Sequence, residues 1–237
     1  MFDQRKLNEL YKDIQNCHIC PKMNRMKALR LVDAVNHEAD VFIVSQTLAA
    51  NQIRKSGVNF FQADGRLGNT GARLEQFLNK FNRTVYPPRE VTIFNTVKIP
   101  ICNLRYKSVY NTEIAQCYPG KNNEGKGDRK PNNDEIQNCI DQGFIIKEIM
   151  MIKPRLILLM GKASRDSFFD YVLKIRYPSS LTEHISDIAQ TGKIPVLSVG
   201  NLTLYVLPIQ HASGANPGFR SMMDDNRYIK LLREVLE

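Results

Sequence analysis

Short apolar runs that stop abruptly at polar residues or glycine, with helical periodicity between them, constrain this chain more than any other feature. Asp40-Val41-Phe42-Ile43-Val44 ends in Ser45-Gln46-Thr47, and Arg155-Leu156-Ile157-Leu158-Leu159-Met160, introduced by Pro154, ends at Gly161. Runs of this length read as short buried strands. Further strands are expected at Val91 to Val97, Ser108 to Ala115, Ile194 to Val199 and Leu202 to Leu207. Helical spacing marks Asp3 to Gln15 with Asp3 as N-cap, Arg73 to Phe81, Asp134 to Met151, Lys162 to Ile175 and Asp224 to Leu236. Loops are expected over Asn51 to Asn69, rich in glycine, asparagine and charge, and over Pro119 to Asn133, rich in glycine, asparagine and lysine, while Lys98 to Lys107 separates two of the strands.

Strands alternating with helices imply an α/β fold: a three-layer α/β/α sandwich with a central, largely parallel sheet. Neither an internal repeat nor a low-complexity linker divides the sequence, so a single domain over residues 1–237 is expected. Sheets of this kind bind ligands beyond the carboxyl ends of their strands. Three polar segments fall there: Ser45-Gln46-Thr47, Glu113 to Tyr118, and Gln210-His211-Ala212-Ser213.

The 237 residues are 43% hydrophobic and 24% charged, which excludes a wholly disordered chain. No apolar stretch approaches the roughly 20 residues of a membrane span. The opening Met-Phe-Asp-Gln-Arg-Lys leads into a polar helix pattern rather than an apolar signal core, so a cytoplasmic protein is expected. Thirty-three Lys and Arg against twenty-four Asp and Glu leave a net charge of +9. That excess favours a polyanionic partner, because each neutralised phosphate releases condensed counterions; a basic protein without such a partner has the same composition.

The five cysteines are unevenly placed. Cys17 and Cys20 form a Cys-x-x-Cys pair, Cys117 and Cys139 flank one polar loop, and Cys102 stands between the pairs. An odd count argues against a disulfide framework and suggests four ligands and one spare. Thiolate-only ligation suits either zinc or an iron–sulfur cluster, and spacing does not separate the two.

Several segments, in order, resemble the uracil-DNA glycosylase superfamily, especially its iron–sulfur, family 4-like branch. Cys17-His18-Ile19-Cys20-Pro21-Lys22 looks like that branch's first cluster ligands. Tyr110-Asn111-Thr112-Glu113-Ile114-Ala115-Gln116-Cys117-Tyr118-Pro119-Gly120-Lys121 resembles its strand-to-loop motif ending at the third ligand, and Cys139 after Asp128-Arg129-Lys130-Pro131 resembles the fourth. Leu156 to Ala163 is similar to its apolar strand followed by Gly-x-Ala, and His211-Ala212-Ser213 to its closing His-Pro-Ser. The resemblance implies a glycosylase domain with an N-terminal cluster-ligand segment, in which Cys17, Cys20, Cys117 and Cys139 hold a [4Fe–4S] cluster, with zinc the alternative. The implied substrate is DNA containing uracil or another deaminated base.

The same resemblance nominates site residues. His211 would donate to the departing base, and Gln46 stands where the family has a water-orienting acidic residue, in Ser45-Gln46-Thr47-Leu48-Ala49 against Gly-Glu-Ala-Pro-Gly. Gln46 can orient water but cannot act as a general base. Glu113 occupies the position of the family's base-reading asparagine. Phe60 or Phe61 would stack on the base, or at least one of them packs in the core; a second register puts Arg66 at the stacking position. Asn111 either borders the reading position or satisfies strand-end backbone. Ser213 and Gly214-Ala215-Asn216 would donate to phosphates, and Arg54, Lys55, Lys121, Lys126, Arg129 and Lys130 would rim the site. Two other readings remain: a non-catalytic iron–sulfur nucleic-acid-binding protein on the same fold, and a zinc-stabilised binding module unrelated to repair.

Overall fold

The two apolar runs become the centre of the sheet. The structure, a computed structural model, describes residues 3–27, 35–49, 56–93, 97–177, 179–214 and 216–237. Strands β2 (Val41–Ser45), β7 (Tyr110–Glu113), β9 (Leu156–Met160), β10 (Val196–Val199) and β11 (Leu202–Ile209) form a five-stranded sheet in the order β10-β11-β9-β2-β7. All pairings are parallel except the edge pair of β10 with β11. Every residue of β2 and β9 is buried, as expected of a sheet covered on both faces.

Because side chains alternate along a strand, each strand feeds two cores. Val41, Ile43, Leu156, Leu158, Leu207 and Ile209 face one layer. It comprises α2 (Asn69–Asn79), α6 (Leu181–Thr191), α7 (Pro217–Asp224) and α8 (Asn226–Leu236). Phe42, Val44, Ile157, Leu159 and Val206 face the other, built from α3 (Asn133–Asp141), α4 (Phe144–Ile152) and the π-helical Phe168–Leu173 that follows α5 (Lys162–Ser167). The three-layer architecture expected from the sequence is therefore present. Helix α1 (Gln4–Asn16) stands outside it: Leu7, Leu10, Tyr11 and Ile14 pack on Phe144. Asp3 caps it, accepting from the backbone N–H of Arg5 and Lys6. No helix among the described residues is long and apolar enough to cross a membrane.

The structure corrects several element boundaries. Asp134 to Met151 is two helices rather than one, because Gly143 takes a left-handed φ of +68° between α3 and α4. Helix α2 begins at Asn69 rather than Arg73. The run expected as one strand at Val91 to Val97 instead enters an antiparallel pair away from the main sheet, β4 (Val91–Ile93) against β5 (Val97–Ile99), with residues 94–96 outside the described ones, so Lys98 lies in a strand. Ser108 to Ala115 also divides. Strand β6 (Lys107–Ser108) pairs with β3 (Arg83–Thr84), and only Tyr110–Glu113 joins the main sheet. Lys162 to Ile175 winds from α-helix into π-helix at Phe168. The remaining two strands, β1 (Asn24–Lys27) and β8 (Cys117–Tyr118), pair antiparallel and fasten the N-terminal segment to the loop carrying Cys117. Arg54, Lys55 and Ala215 lie outside the described residues.

Candidate active site and cysteine cavity

Parallel strands deliver their carboxyl ends to one edge of the sheet, and a cleft of about 580 Å³ opens there. Ser45, Gln46 and Thr47 after β2, Met160 to Ala163 after β9, and His211 after β11 line one side. The turn Asn59 to Gln62 and the start of α2 from Gly68 to Gly71 line the other. The volume falls within the range of small-molecule sites.

His211 sits where β11 gives way to a loop held by three contacts. Arg73 donates to the Ser213 carbonyl at 2.6 Å, Asn216 Nδ2 donates to the His211 carbonyl at 3.1 Å, and Gln210 Nε2 donates to Thr182 Oγ1 at 2.9 Å. The Ser213 backbone N–H donates to His211 Nδ1 at 3.2 Å. An imidazole nitrogen that accepts carries no proton, so the neutral ring carries its proton on Nε2. The ring opens onto the cleft, yet the surrounding protein displaces enough water to hold its pKa below the ordinary value. Gly161, at φ +88°, leaves room for the ring: a Cβ there would lie 3.3 Å from His211 Cβ and 3.4 Å from Cδ2.

Gln46 faces the same cleft, with its carbonyl accepting from Ala115 N–H at 2.9 Å. Thr47 Oγ1 donates to the Cys117 carbonyl at 3.0 Å, fastening the cleft wall to the cysteine loop. Phe60 and Phe61 both line the cleft and both pack in the core, at 2% and 4% exposure. Phe60 holds a left-handed φ of +69°. Such strain in a non-glycine residue persists only where its surroundings enforce it. Here Ser56 Oγ donates to the Phe61 carbonyl at 2.6 Å, and Gly68 N–H donates to the Phe60 carbonyl at 2.8 Å.

Three nominated residues are not in the wall. Glu113 is buried behind it, and its Oε1 accepts from Asn59 Nδ2 at 2.8 Å. Asn111, beside Ile43 in the sheet, and Ser213, which anchors the His211 loop, do not line the cleft. Arg66 is exposed beside Asp64 and does not line the cleft. Sequence reasoning missed Asn59 and Lys162, which do line it. A lone asparagine in a polar loop carries no periodic signal; its position next to Phe60-Phe61 was the available clue.

The four paired cysteines meet at one cavity of about 180 Å³, lined by Cys17, Cys20, Cys117 and Cys139 with Gln116 and Phe144 among their neighbours. Cys102 is not among them; it follows β5, its N–H donating to the Pro87 carbonyl. Burial pushes Cys117 up to about 11, partly offset by Lys27, with Cys17 and Cys20 adding to the rise. Burial likewise pushes Cys139 up to about 12, offset in part by a backbone hydrogen bond from Gln116. Burial thus favours the protonated thiols, and a bound cation would draw them toward the thiolate form that ligates metal. No three His, Cys, Asp or Glu side chains among the described residues stand close enough together to hold a single metal ion.

Arg129 forks onto Glu135, at 2.7 and 2.6 Å, and reaches the Lys22 carbonyl, so it ties the Cys139 helix to the Cys-x-x-Cys segment. Lys121 pairs with Asp128 at 2.9 Å. Each of these two cations, expected to rim the site, pairs with a carboxylate of its own chain. Lys126 and Lys130 carry no ion pair among the described residues.

From residue 32 to residue 235 the sequence matches the family model described as the uracil DNA glycosylase superfamily. Cys17 and Cys20 lie ahead of that span. No curated protein matches the chain in sequence.

Proposed function

The chain belongs to the uracil DNA glycosylase superfamily, and from that premise we propose that it hydrolyses the N-glycosidic bond of uracil or another deaminated base in DNA, opening base-excision repair. A base stacked in duplex is out of reach of the cleft, so the nucleotide must be extruded into it. Breaking the bond between C1′ and the base nitrogen leaves positive charge on the sugar and an anion on the departing base. Water adds hydroxide to C1′, and its remaining proton ends on the base. Donors already aimed at the developing charge supply the largest share of such catalysis.

The observation that carries this reading is His211 on the cleft wall, with Nδ1 engaged by the Ser213 N–H and its proton therefore on Nε2. Gln46 on the same wall can hold a water by hydrogen bonding without deprotonating it. Phe60 and Phe61 supply aromatic surface for the base. Replacing His211 by alanine is expected to slow base release by about 10²–10³, the usual cost of one oxyanion donor, while affinity for abasic DNA persists. An undiminished rate would remove His211 from the reaction.

Cys17, Cys20, Cys117 and Cys139 are the residues we assign to a [4Fe–4S] cluster, supported by four thiols around one cavity. When bound, the cluster would cross-link the N-terminal segment to the Cys117 and Cys139 elements and take no part in bond cleavage.

One observation favours a second reading, that of a non-catalytic nucleic-acid-binding protein. Among the described residues no carboxylate lines the cleft, so no general base is in place for water. Base release from damaged oligonucleotides separates the two readings.

A further inference from the structure

Among the described residues that line the cleft, Lys162 alone carries a primary amine, and departure of the base makes no demand on it. It follows Gly161, where a Cβ would lie 3.3 Å from His211 Cβ, so amine and imidazole rise from adjacent points of one wall. The turn that carries Lys162 is fixed to the sheet. Ser164 Oγ donates to the Val44 carbonyl of β2 at 2.7 Å, and Arg165 N–H donates to the Gly161 carbonyl at 3.0 Å.

An exposed lysine ordinarily samples many rotamers. Here the Lys162 ammonium pairs with Asp166 one turn on, and Asp166 is held in turn by Arg165 Nε at 2.6 Å. The Arg165 side chain is wholly buried and donates from Nη2 to the Ser179 carbonyl at 3.0 Å. A chain of charge thus runs from the core to the cleft wall and narrows the positions open to the amine, as a reacting group requires.

Loss of a base leaves a sugar whose ring opens to an aldehyde at C1′, within the cleft that held the base. Lysine amines condense with such carbonyls. We propose that Lys162 captures this abasic product as a reversible imine. Once the ammonium has given a proton to water, Nζ adds to C1′. The carbonyl oxygen then takes both remaining amine protons and leaves as water, and a C1′=N bond remains. Hydrolysis reverses the step and returns aldehyde and amine. Onward elimination of the 3′-phosphate needs a base for the C2′ proton. Among the described residues no carboxylate lines the cleft, and His211 Nδ1 is already engaged by the Ser213 N–H. Lys162 therefore holds the product without cutting the strand. This goes beyond the glycosylase reading and rests on it only for the ligand being an abasic sugar.

The test starts from an abasic strand prepared in advance, so it does not depend on base release. The full chain is incubated with a single-stranded oligonucleotide carrying an aldehydic abasic site, together with sodium cyanoborohydride, which reduces an imine to a stable secondary amine. A strand with the tetrahydrofuran analogue, which has no aldehyde, is the blank. Adduct is counted per bound complex, the bound fraction being read by fluorescence anisotropy, and its position is mapped by mass spectrometry. Most of the adduct is expected on Lys162. Lys162→Arg keeps the charge without the amine and should lower adduct per complex at least tenfold, as should Lys162→Ala. No adduct, adduct spread over other lysines, or an undiminished yield per complex in the variants overturns the proposal. Affinity and total adduct falling together at constant yield per complex would reduce Lys162 to a phosphate contact and overturn it equally. A Lys162 adduct without base release from damaged strands would overturn the glycosylase reading and leave this one standing; base release without the adduct does the reverse. No affinity for the abasic strand overturns both.

Discussion

A single hydrogen bond, from Ser213 N–H to His211 Nδ1, sets how the candidate site responds to pH. Protonating Nδ1 would put two N–H groups face to face and release the ring. Burial lowers the His211 pKa, so the neutral, correctly held form persists to lower pH than in a free imidazole. The rate constant for base release is therefore expected to fall on acidification with a midpoint below 6.5. A rate that climbs on acidification with a midpoint above 6.5 would make the imidazolium the donor instead. Gly161 belongs to the same argument. Alanine there must take a φ of +88° and crowd His211 Cβ and Cδ2, so Gly161→Ala should cost about 1 kcal/mol or more of stability. It should also slow base release beyond what that stability loss explains, as denaturant titration and single-turnover kinetics together would show.

At the scale of elements, helix α3 carries Cys139 and is oriented by its start. Asn132 Oδ1 accepts from Glu135 N–H at 2.8 Å while Glu135 accepts from Asn132 N–H at 2.9 Å. The Arg129 ion pair holds the Glu135 carboxylate below its usual pKa. Asn132→Ala should cost roughly 1 kcal/mol in urea unfolding, as loss of an N-cap does. An unchanged midpoint would show the cap to be redundant with Arg129. Much of this level was legible in the sequence. The two central strands, the Asp3 cap, the four cysteines around one cavity, and His211 with Gln46 in one cleft all follow from pattern or motif. What escaped did so for physical reasons. The apolar pattern runs unbroken through Gly143, and only its backbone conformation divides the helix. Helix α6 had a readable start, the Ser180 and Glu183 capping box, but its mixed composition hid it. The withdrawal of Glu113 behind Asn59 is a tertiary fact that no local pattern encodes.

For the molecule as a whole, two couplings to solution conditions follow. His184 is buried against Arg165, at 3.4 Å from Nδ1, and stacks on Tyr177 at 3.7 Å. Burial first and the Arg165 charge second lower its pKa to about 4, against smaller opposing effects of Asp187 and Asp166. The unfolded chain takes up a proton near 6.5 while the native chain does not, so stability should decline as pH falls from 6.5 toward 4. Replacing His184 by glutamine should flatten that decline in thermal unfolding; an equally steep decline would place the proton uptake elsewhere. The +9 charge also predicts salt-sensitive DNA binding. With Lys121 and Arg129 committed internally, Lys126→Ala and Lys130→Ala should each lower the salt slope by about 0.7–0.9. Slopes equal to that of the wild type would place the DNA on another face.

The central claim meets its most direct test in base release. Protein purified anaerobically, its visible spectrum and iron content recorded, is incubated with oligonucleotides carrying uracil, hypoxanthine or xanthine. A brown protein that leaves alkali-labile abasic sites, and a His211→Ala variant that binds the same DNA without doing so, is the predicted result. A brown, DNA-binding wild-type protein that releases none of the three bases would contradict the account and make the cleft a site of recognition alone.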